Sequence, residues 1–175
     1  MDYELTLWLQ GLIPRQFDTV LSIFSILGTF EIASLALAGL FYWLWRQKKI
    51  AWSFLFFFFV LHVIEILGKF FLAHPSPPPS LVRFTFPIDL PTIKVTTSYS
   101  FPSGHVSRIT YLVVLGIFLW RKKAWFVLLS LAFLILMAIT RVYLGEHWAS
   151  DVIGGLVLGS ISGWLALLYY KNHAE

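Results

Sequence analysis

The chain of 175 residues contains no cysteine, which excludes disulfides, thiolate metal ligands and a cysteine nucleophile. Charge is also scarce, because only 13% of the residues are Asp, Glu, Lys or Arg whereas 58% are hydrophobic. The mean hydropathy of +0.78 is too high for the surface of a soluble domain. The start of the chain is acidic, with Asp2 and Glu4, and lacks the basic region of a cleavable signal peptide. We therefore expect a bilayer protein that is inserted by its own helices.

Long apolar segments alternate with short polar breaks along most of the chain. At roughly 20 residues per crossing, the pattern predicts an all-α integral membrane bundle of roughly five or six transmembrane helices. We expect a single membrane-embedded domain over residues 1–175. The predicted spans are residues 29–45, 50–73, 103–120, 124–141 and 148–170.

Two segments do not fit a simple span. Pro14 and Gly28 divide residues 1–28 into pieces that are too short to cross alone. We expect short N-terminal helices that lie at the membrane interface, and the alternative is a single bent sixth span. Residues 73–102 are rich in proline and cannot form a spanning helix. They form either a lid over the outward face or a short interfacial connector.

Basic residues predict the orientation of the bundle. Alternation of the spans places one group of them at the same end, which the positive-inside rule assigns to the cytoplasm. This group is Arg46, Lys48, Lys49, Arg121, Lys122, Lys123 and Lys171. The remaining basic residues fall near the opposite end, where an anionic ligand would explain them. These are Arg15, Lys69, Arg83, Lys94, Arg108 and Arg141.

The first polar cluster is Pro102-Ser103-Gly104-His105, at the beginning of the third predicted span. A proline at a helix start, followed by two small residues, leaves backbone N–H groups free to hold an anion. His105 follows directly and is placed to act as a general acid. Polar groups at the edge of an apolar segment are costly, so this cluster indicates a functional oxyanion site.

The second cluster is Thr140-Arg141, followed by His147 and Asp151. The i, i+4 spacing of His147 and Asp151 places both side chains on one helical face. A carboxylate that accepts from one imidazole nitrogen fixes the tautomer, so that the other nitrogen can attack phosphorus. The pattern favours His147 as a nucleophile and Asp151 as the residue that orients it.

These clusters resemble the signature of the type 2 phosphatidic acid phosphatase family, which includes bacterial acid phosphatases and vanadium haloperoxidases. The family pattern is lysine, six residues, arginine-proline; then proline-serine-glycine-histidine; then serine-arginine, five residues, histidine, three residues, aspartate. The second part is intact from Pro102 to His105, and the third has Thr140 in place of serine. The resemblance covers residues 29–170.

The first part of the signature departs from the family. Six residues separate Lys69 from Ser76-Pro77, where the family has arginine-proline. A hydroxyl cannot supply the planar charged fork that arginine offers to phosphate. Either the protein works with a weakened site that is helped by His74, or the serine is an introduced substitution.

The resemblance implies hydrolysis of a lipid phosphate monoester or diphosphate through a phosphohistidine, with no metal, cofactor or nucleic acid involved. His147 would be the nucleophile, His105 would act first as acid and then as base, and Asp151 would orient His147. The groups implied in phosphate binding are Lys69, Ser103, Gly104 and Arg141, with Ser76 at the arginine position.

The substrates implied by small bacterial relatives are undecaprenyl diphosphate, phosphatidylglycerol phosphate and lipid A 1-phosphate. The expected location is the bacterial inner membrane, with the site facing the periplasm or exterior and lipid entering laterally from the outer leaflet. Three alternatives stay open: a catalytically inactive protein that binds lipid phosphates, a small transporter or channel, and a vanadate-dependent oxidising enzyme.

Other polar residues have two interpretations each. Arg83 and Lys94 are candidates for contacts with an anionic headgroup, and Arg108 either makes such a contact or pairs inside the bundle. Glu65 lies one helical turn before Lys69, which favours a structural ion pair. The sequence also predicts close helix packing along a row of glycines with a four-residue repeat, Gly155, Gly159 and Gly163.

Overall fold

The computed structural model describes residues 1–49, 51–84 and 98–173. Within these ranges the fold is all-α, as predicted, and it has no strand beyond an isolated antiparallel bridge between Pro75 and Tyr99. Short 3₁₀ turns cover Arg15–Phe17, Ile26–Gly28 and Pro79–Leu81. The helices are α1 (Asp2–Leu12), α2 (Asp18–Ser25), α3 (Phe30–Arg46), α4 (Trp52–Leu72), α5 (Gly104–Trp120), α6 (Ala124–Tyr143) and α7 (Ala149–His173).

All five predicted spans are helical in the structure, but they differ in length. By length and composition, α4, α6 and α7 can each cross a membrane. Residues Arg15–Gly28 and Phe30–Arg46 form a fourth candidate that bends by 50°. The apolar α5 has 17 residues, or about 25 Å, which is shorter than a hydrocarbon core of about 30 Å. Since α5 begins at the buried Ser103, part of the predicted crossing is used to build a polar site.

The N-terminal helix lies across one end of the bundle. The Asp2 carboxylate accepts hydrogen bonds from the backbone N–H (3.2 Å) and hydroxyl (2.8 Å) of Ser150, near the start of α7. The Gln10 side chain donates to the carbonyl oxygens of Leu81 at 2.7 Å and Tyr143 at 2.8 Å. Both ends of α1 are thus tied to the same end of the bundle, as a helix at the membrane interface requires.

Helix α7 packs closely against α5 through the predicted row of glycines. A β-carbon at Gly155 would lie 2.6 Å from the Ser103 carbonyl oxygen, and one at Gly159 would lie 2.3 Å from the Ser107 carbonyl oxygen. Real side chains do not approach a backbone this closely, so only glycine permits this contact. The predicted packing role is confirmed, and it brings the beginnings of α5 and α7 together.

The predicted basic end of the bundle is also visible. A cavity of about 520 Å³ opens where α3, α5 and α7 end and α6 begins. Aromatic side chains of an interfacial type surround it, together with cations. Its lining includes Trp43, Trp120, Tyr170, Lys49, Arg121, Lys122 and Lys123. The two polar clusters lie where α5 and α7 begin, which is the opposite end of the bundle, as the charge pattern predicts.

Replacement of Gly159 by alanine tests the helix packing. We expect Gly159→Ala to lower the free energy of unfolding by about 1–3 kcal/mol, because the new methyl group overlaps the α5 backbone. A lower melting temperature in detergent would report this loss.

Gly39→Ala is the matched control, because a β-carbon at Gly39 on α3 meets nothing within 4 Å. Alanine should be neutral there or stabilising by up to about 1 kcal/mol. Equal melting temperatures for the two variants would contradict the packing role of Gly159.

Candidate active site

The start of α5 forms a cradle of small residues. Ser103 precedes the helix, and its backbone N–H donates to the Asp151 carbonyl oxygen at 3.0 Å. Its hydroxyl is fully buried and has no partner within the described part of the chain. A β-carbon at Gly104 would lie 2.0 Å from a carboxylate oxygen of Glu65, so the Glu65 side chain would have to shift to admit a larger residue. The unpaired N–H groups of the first helical turn and this free hydroxyl favour an anion.

A tight turn after α6 presents His147. Gly145 has a φ of 66°, a left-handed conformation that favours glycine. A β-carbon there would also lie 2.2 Å from the Leu81 carbonyl oxygen. The chain then turns back, so that the His147 N–H donates to the Arg141 carbonyl oxygen at 3.2 Å. His147 is buried in the wall of the site as a result.

Asp151 lies at the centre of the site and is 0% exposed. Its Oδ2 accepts from the backbone N–H of Trp148 at 2.9 Å, which caps the first turn of α7. The same oxygen lies 3.4 Å from Nδ1 of His147, an ion-pair distance that is long for a hydrogen bond. Its Oδ1 lies 2.9 Å from Nδ1 of His74, and Ser100 also contacts the carboxylate. The carboxylate therefore faces two histidines.

Two buried cations flank the histidines. Nζ of Lys69 is 3.5 Å from the Pro102 carbonyl oxygen. The Arg141 guanidinium donates to the Ser25 hydroxyl at 2.5 Å and pairs with Glu146. Within the described residues, Nε of Arg141 has no partner. Lys69 and Arg141 act electrostatically on both His105 and His147, so the four side chains belong to one site.

Burial lowers the pKa of His147 below its ordinary value of 6.5. Contact with Asp151 raises this pKa, and the positive charges of Arg141 and Lys69 lower it further. The net shift is downward, so His147 is a neutral imidazole at neutral pH. A neutral ring with Nδ1 turned towards a carboxylate leaves Nε2 with a free electron pair.

Residues 25–28 cover the site, a contact that the sequence does not predict. A β-carbon at Gly28 would lie 2.8 Å from Cδ2 of His105, so the 3₁₀ turn passes directly over this ring. Ser25 binds Arg141, and the Gly28 carbonyl oxygen accepts from Nε of Arg108 at 3.0 Å. The only signal in the sequence was the break at Gly28.

Arg108 is held inside the bundle. Its Nη1 lies 2.9 Å from Oε2 of Glu65, whose Oε1 lies 3.9 Å from Nζ of Lys69. The predicted structural pair of Glu65 with Lys69 is therefore present, and Glu65 joins both cations. Of the two roles considered for Arg108, the structure shows the internal ion pair. The proposed headgroup contact does not fit a side chain this deeply buried.

Two other predicted residues, Ser76 and Arg83, lie outside this cluster. Ser76 is exposed, and its hydroxyl donates to the Ser98 carbonyl oxygen at 3.2 Å rather than facing the cations. Arg83 donates to the Tyr143 hydroxyl at 3.3 Å and lies over its ring. Lys94 falls outside the described residues. In the parts of the chain that the structure describes, no group of three or more histidines and carboxylates is arranged to hold a metal ion.

The chain is similar to several known proteins. The model of the PAP2 superfamily matches residues 51–175. An undecaprenyl-diphosphatase of Sulfolobus acidocaldarius is 32% identical over 123 residues, which are 70% of this chain and 55% of that protein. The bacitracin transport permease protein BcrC of Bacillus licheniformis is 30% identical over 149 residues, 85% of this chain and 70% of that protein.

A solved structure has the same fold. The crystal structure of Aquifex aeolicus LpxE superposes with a TM-score of 0.74 at 21% identity, over 96% of this chain and 95% of the other. The fold agrees over almost the whole length, and the family match includes both polar clusters and Lys69. The chain belongs to the PAP2 superfamily.

Proposed function

We propose that the protein is a membrane phosphatase that hydrolyses a phosphate monoester or diphosphate of a lipid. One observation carries the proposal: a buried, neutral His147 faces the Asp151 carboxylate at a site that also holds Lys69, Arg141 and the start of α5. A nucleophile, cations and free N–H groups in one buried cluster suit a tetrahedral phosphoryl group.

The first chemical step is attack by Nε2 of His147 on phosphorus. An N–P bond forms while the P–O bond to the lipid breaks, and His105 donates a proton to the departing oxygen. The attacking ring becomes positively charged, and the Asp151 carboxylate stabilises this charge. Closure of the 3.4 Å contact between Asp151 and His147 would accompany this step. Lys69, Arg141, Ser103 and Gly104 hold the equatorial oxygens.

The second step returns the enzyme to its starting state. A water molecule gives up a proton to His105, now a base, and attacks the phosphohistidine. The N–P bond breaks, inorganic phosphate leaves, and His147 is neutral again. Each step is an in-line displacement at phosphorus, and neither draws on a metal or cofactor.

The position of His74 beside Asp151 supports the interpretation that Ser76 leaves the site weakened. Among the described residues, the site includes three cations (Lys69, Arg108, Arg141) and three carboxylates (Glu65, Glu146, Asp151), and Glu31 also acts electrostatically on Arg108. A phosphate dianion therefore finds no surplus positive charge, which the family arginine would supply. His74 already contacts Asp151 at 2.9 Å and, when protonated, adds one charge. We propose that it compensates in part for the missing arginine.

The substrate class follows from the family and the membrane setting. We propose undecaprenyl diphosphate, phosphatidylglycerol phosphate or lipid A 1-phosphate as candidates, with the site facing the periplasm or exterior of a bacterial inner membrane. The name of the Sulfolobus relative supports the first candidate. Basic side chains around the cavity at the opposite end support this orientation through the positive-inside rule.

Transport is the second candidate, because one relative is named a transport permease. A transporter needs a polar pathway through the bundle. In the described residues the His147 site lies at one end of the helices and the basic cavity at the other, with the apolar core between them. This arrangement favours chemistry at one face over transport.

Removal of the nucleophile separates hydrolysis from transport or simple binding. We expect His147→Ala to lower phosphate release from the candidate lipids in detergent micelles by about 10³-fold or more. His62→Gln is the control, because the His62 ring packs against Phe30 and Phe58 and its Nδ1 contacts the Phe58 carbonyl oxygen of the same helix at 2.7 Å. Undiminished release by a folded His147→Ala variant would refute the mechanism, and a wild type inactive on every lipid would indicate a silent binding protein.

Restoration of the family arginine tests the weakened site. We expect Ser76→Arg to raise kcat/KM by about 10²-fold, because the guanidinium supplies the missing phosphate clamp. Ser80→Arg adds the same charge at an exposed position of the same segment and should have little effect.

A double-variant comparison tests the compensating role of His74. His74→Ala should reduce activity strongly in the Ser76 protein and much less in the Ser76→Arg protein. Equal losses in both backgrounds would show that His74 does not compensate for the arginine.

The pH profile tests the contact between Asp151 and His147. The acid limb of kcat/KM should lie below pH 6.5, because burial lowers the pKa of His147 and only the neutral ring attacks. Asp151 raises that pKa, so Asp151→Asn should move the limb to still lower pH and reduce kcat by about 10²–10⁴-fold. His74 also contacts Asp151, so the two proteins are compared in the His74→Ala background. A limb that moves to higher pH, or does not move, contradicts the assignment.

A further inference from the structure

An apolar groove runs along the outside of the bundle between α4 and α7. Its volume is about 430 Å³. Helix α4 contributes Ile64, Gly68 and Leu72, and α7 contributes the face that runs from Ser150 to Ile161. The loop before α5 closes one end with Phe101 and Pro102. None of the chemistry described above uses this groove.

Two glycines seat the closing loop between the helices. A β-carbon at Gly154 would lie 2.4 Å from the Phe101 ring, and one at Gly68 would lie 2.8 Å from Cδ of Pro102. Both helices therefore contact the loop directly. The end of the groove and the loop that leads into Ser103 are a single packed unit.

This end of the groove adjoins the proposed active site through the backbone. Three groove residues, Gly68, Pro102 and Ser150, each come immediately before a site residue. The site residues that follow them are Lys69, Ser103 and Asp151. Nζ of Lys69 also lies 3.5 Å from the Pro102 carbonyl oxygen. The backbone of these three segments therefore borders both the groove and the proposed site.

The groove is about as long as the hydrocarbon part of one bilayer leaflet is thick. Eleven residue steps separate Ser150 from Ile161, which is about 17 Å along a helix and about half of a 30 Å hydrocarbon core. Along this length the α7 side chains are aliphatic or absent, and Ser150 lies at the site end. Val157 and Ile161 are each 52% exposed, so no described part of the protein covers this face.

We propose that this groove holds the hydrocarbon chain of the lipid whose phosphate is cleaved. The inference rests on the proposed phosphatase function and adds the position of the substrate chain. Since the surrounding lipid is as apolar as the groove, burial alone gives little affinity. The groove acts by shape instead, because a chain aligned along α7 places its phosphate next to Ser103 and Lys69.

A tryptophan at the far end tests the position of the chain. Ile161 lies ten residues beyond Asp151, or about 15 Å. We expect Ile161→Trp to lower kcat/KM for undecaprenyl diphosphate by about tenfold, because the indole obstructs the path of a long chain. Geranyl diphosphate, whose chain is too short to reach Ile161, should be hydrolysed at the unchanged rate.

Ile135→Trp is the matched control, since Ile135 on α6 is 59% exposed and does not line the groove. It should change neither rate. An equal loss on both substrates for Ile161→Trp, or no loss on either, would overturn the proposal.

Photo-crosslinking tests the groove without turnover. A benzophenone side chain at Val157 should crosslink to radiolabelled undecaprenyl phosphate, and excess unlabelled undecaprenyl phosphate should compete while phosphatidylcholine should not. Equal competition by phosphatidylcholine would show bulk lipid in the groove, and a crosslinked protein dimer would show a second copy; either result overturns the proposal. If no lipid phosphate is hydrolysed by the wild type, the phosphatase assignment fails, and the crosslink still decides what occupies the groove.

Discussion

The buried carboxylate of Asp151 is the interaction on which the rest of the site depends. An isolated charge at 0% exposure would be strongly unfavourable, so the surrounding groups must pair with it. It receives the first backbone N–H of α7, contacts His74 at 2.9 Å and faces His147 at 3.4 Å. His74 is far from residues 147–151 in the sequence, so two distant parts of the chain meet at this residue. Helix capping and the orientation of His147 therefore use the same carboxylate oxygen, so the start of α7 and the proposed nucleophile are positioned together.

Close packing of two helices makes this convergence possible. The glycine row on α7 lets the Ser103 and Ser107 carbonyl oxygens of α5 approach its backbone. The oxyanion cradle before α5 and the carboxylate at the start of α7 are consequently linked by the 3.0 Å hydrogen bond from Ser103 to the Asp151 carbonyl oxygen. The buried pairs of Glu65 with Arg108 and of Arg141 with Glu146 hold the neighbouring cations in place. The close packing of α5 and α7 and the buried ion pairs thus hold the charged side chains in place at one end of the bundle.

The sequence predicts much of this arrangement because both of its signals are local. Apolar runs predict α3 to α7, and the spacing of His147 and Asp151 predicts their shared position. The contacts that the sequence did not predict are long-range: the turn at Gly28 over His105, the bond from Ser25 to Arg141 and the link from His74 to Asp151. A periodic pattern carries no information on which distant turn will cover a site. The predicted bounds of the spans agree with the helices to within three residues, and α5 is the apolar helix that is shorter than a full crossing.

The central claim is that phosphate passes through a covalent bond to His147. The stereochemical course at phosphorus tests it most directly, with a lipid thiophosphate monoester made chiral by oxygen isotopes and hydrolysed in isotopically labelled water. Two in-line displacements, first by His147 and then by water, predict retention of configuration. Inversion would show a single direct attack by water and would contradict the account.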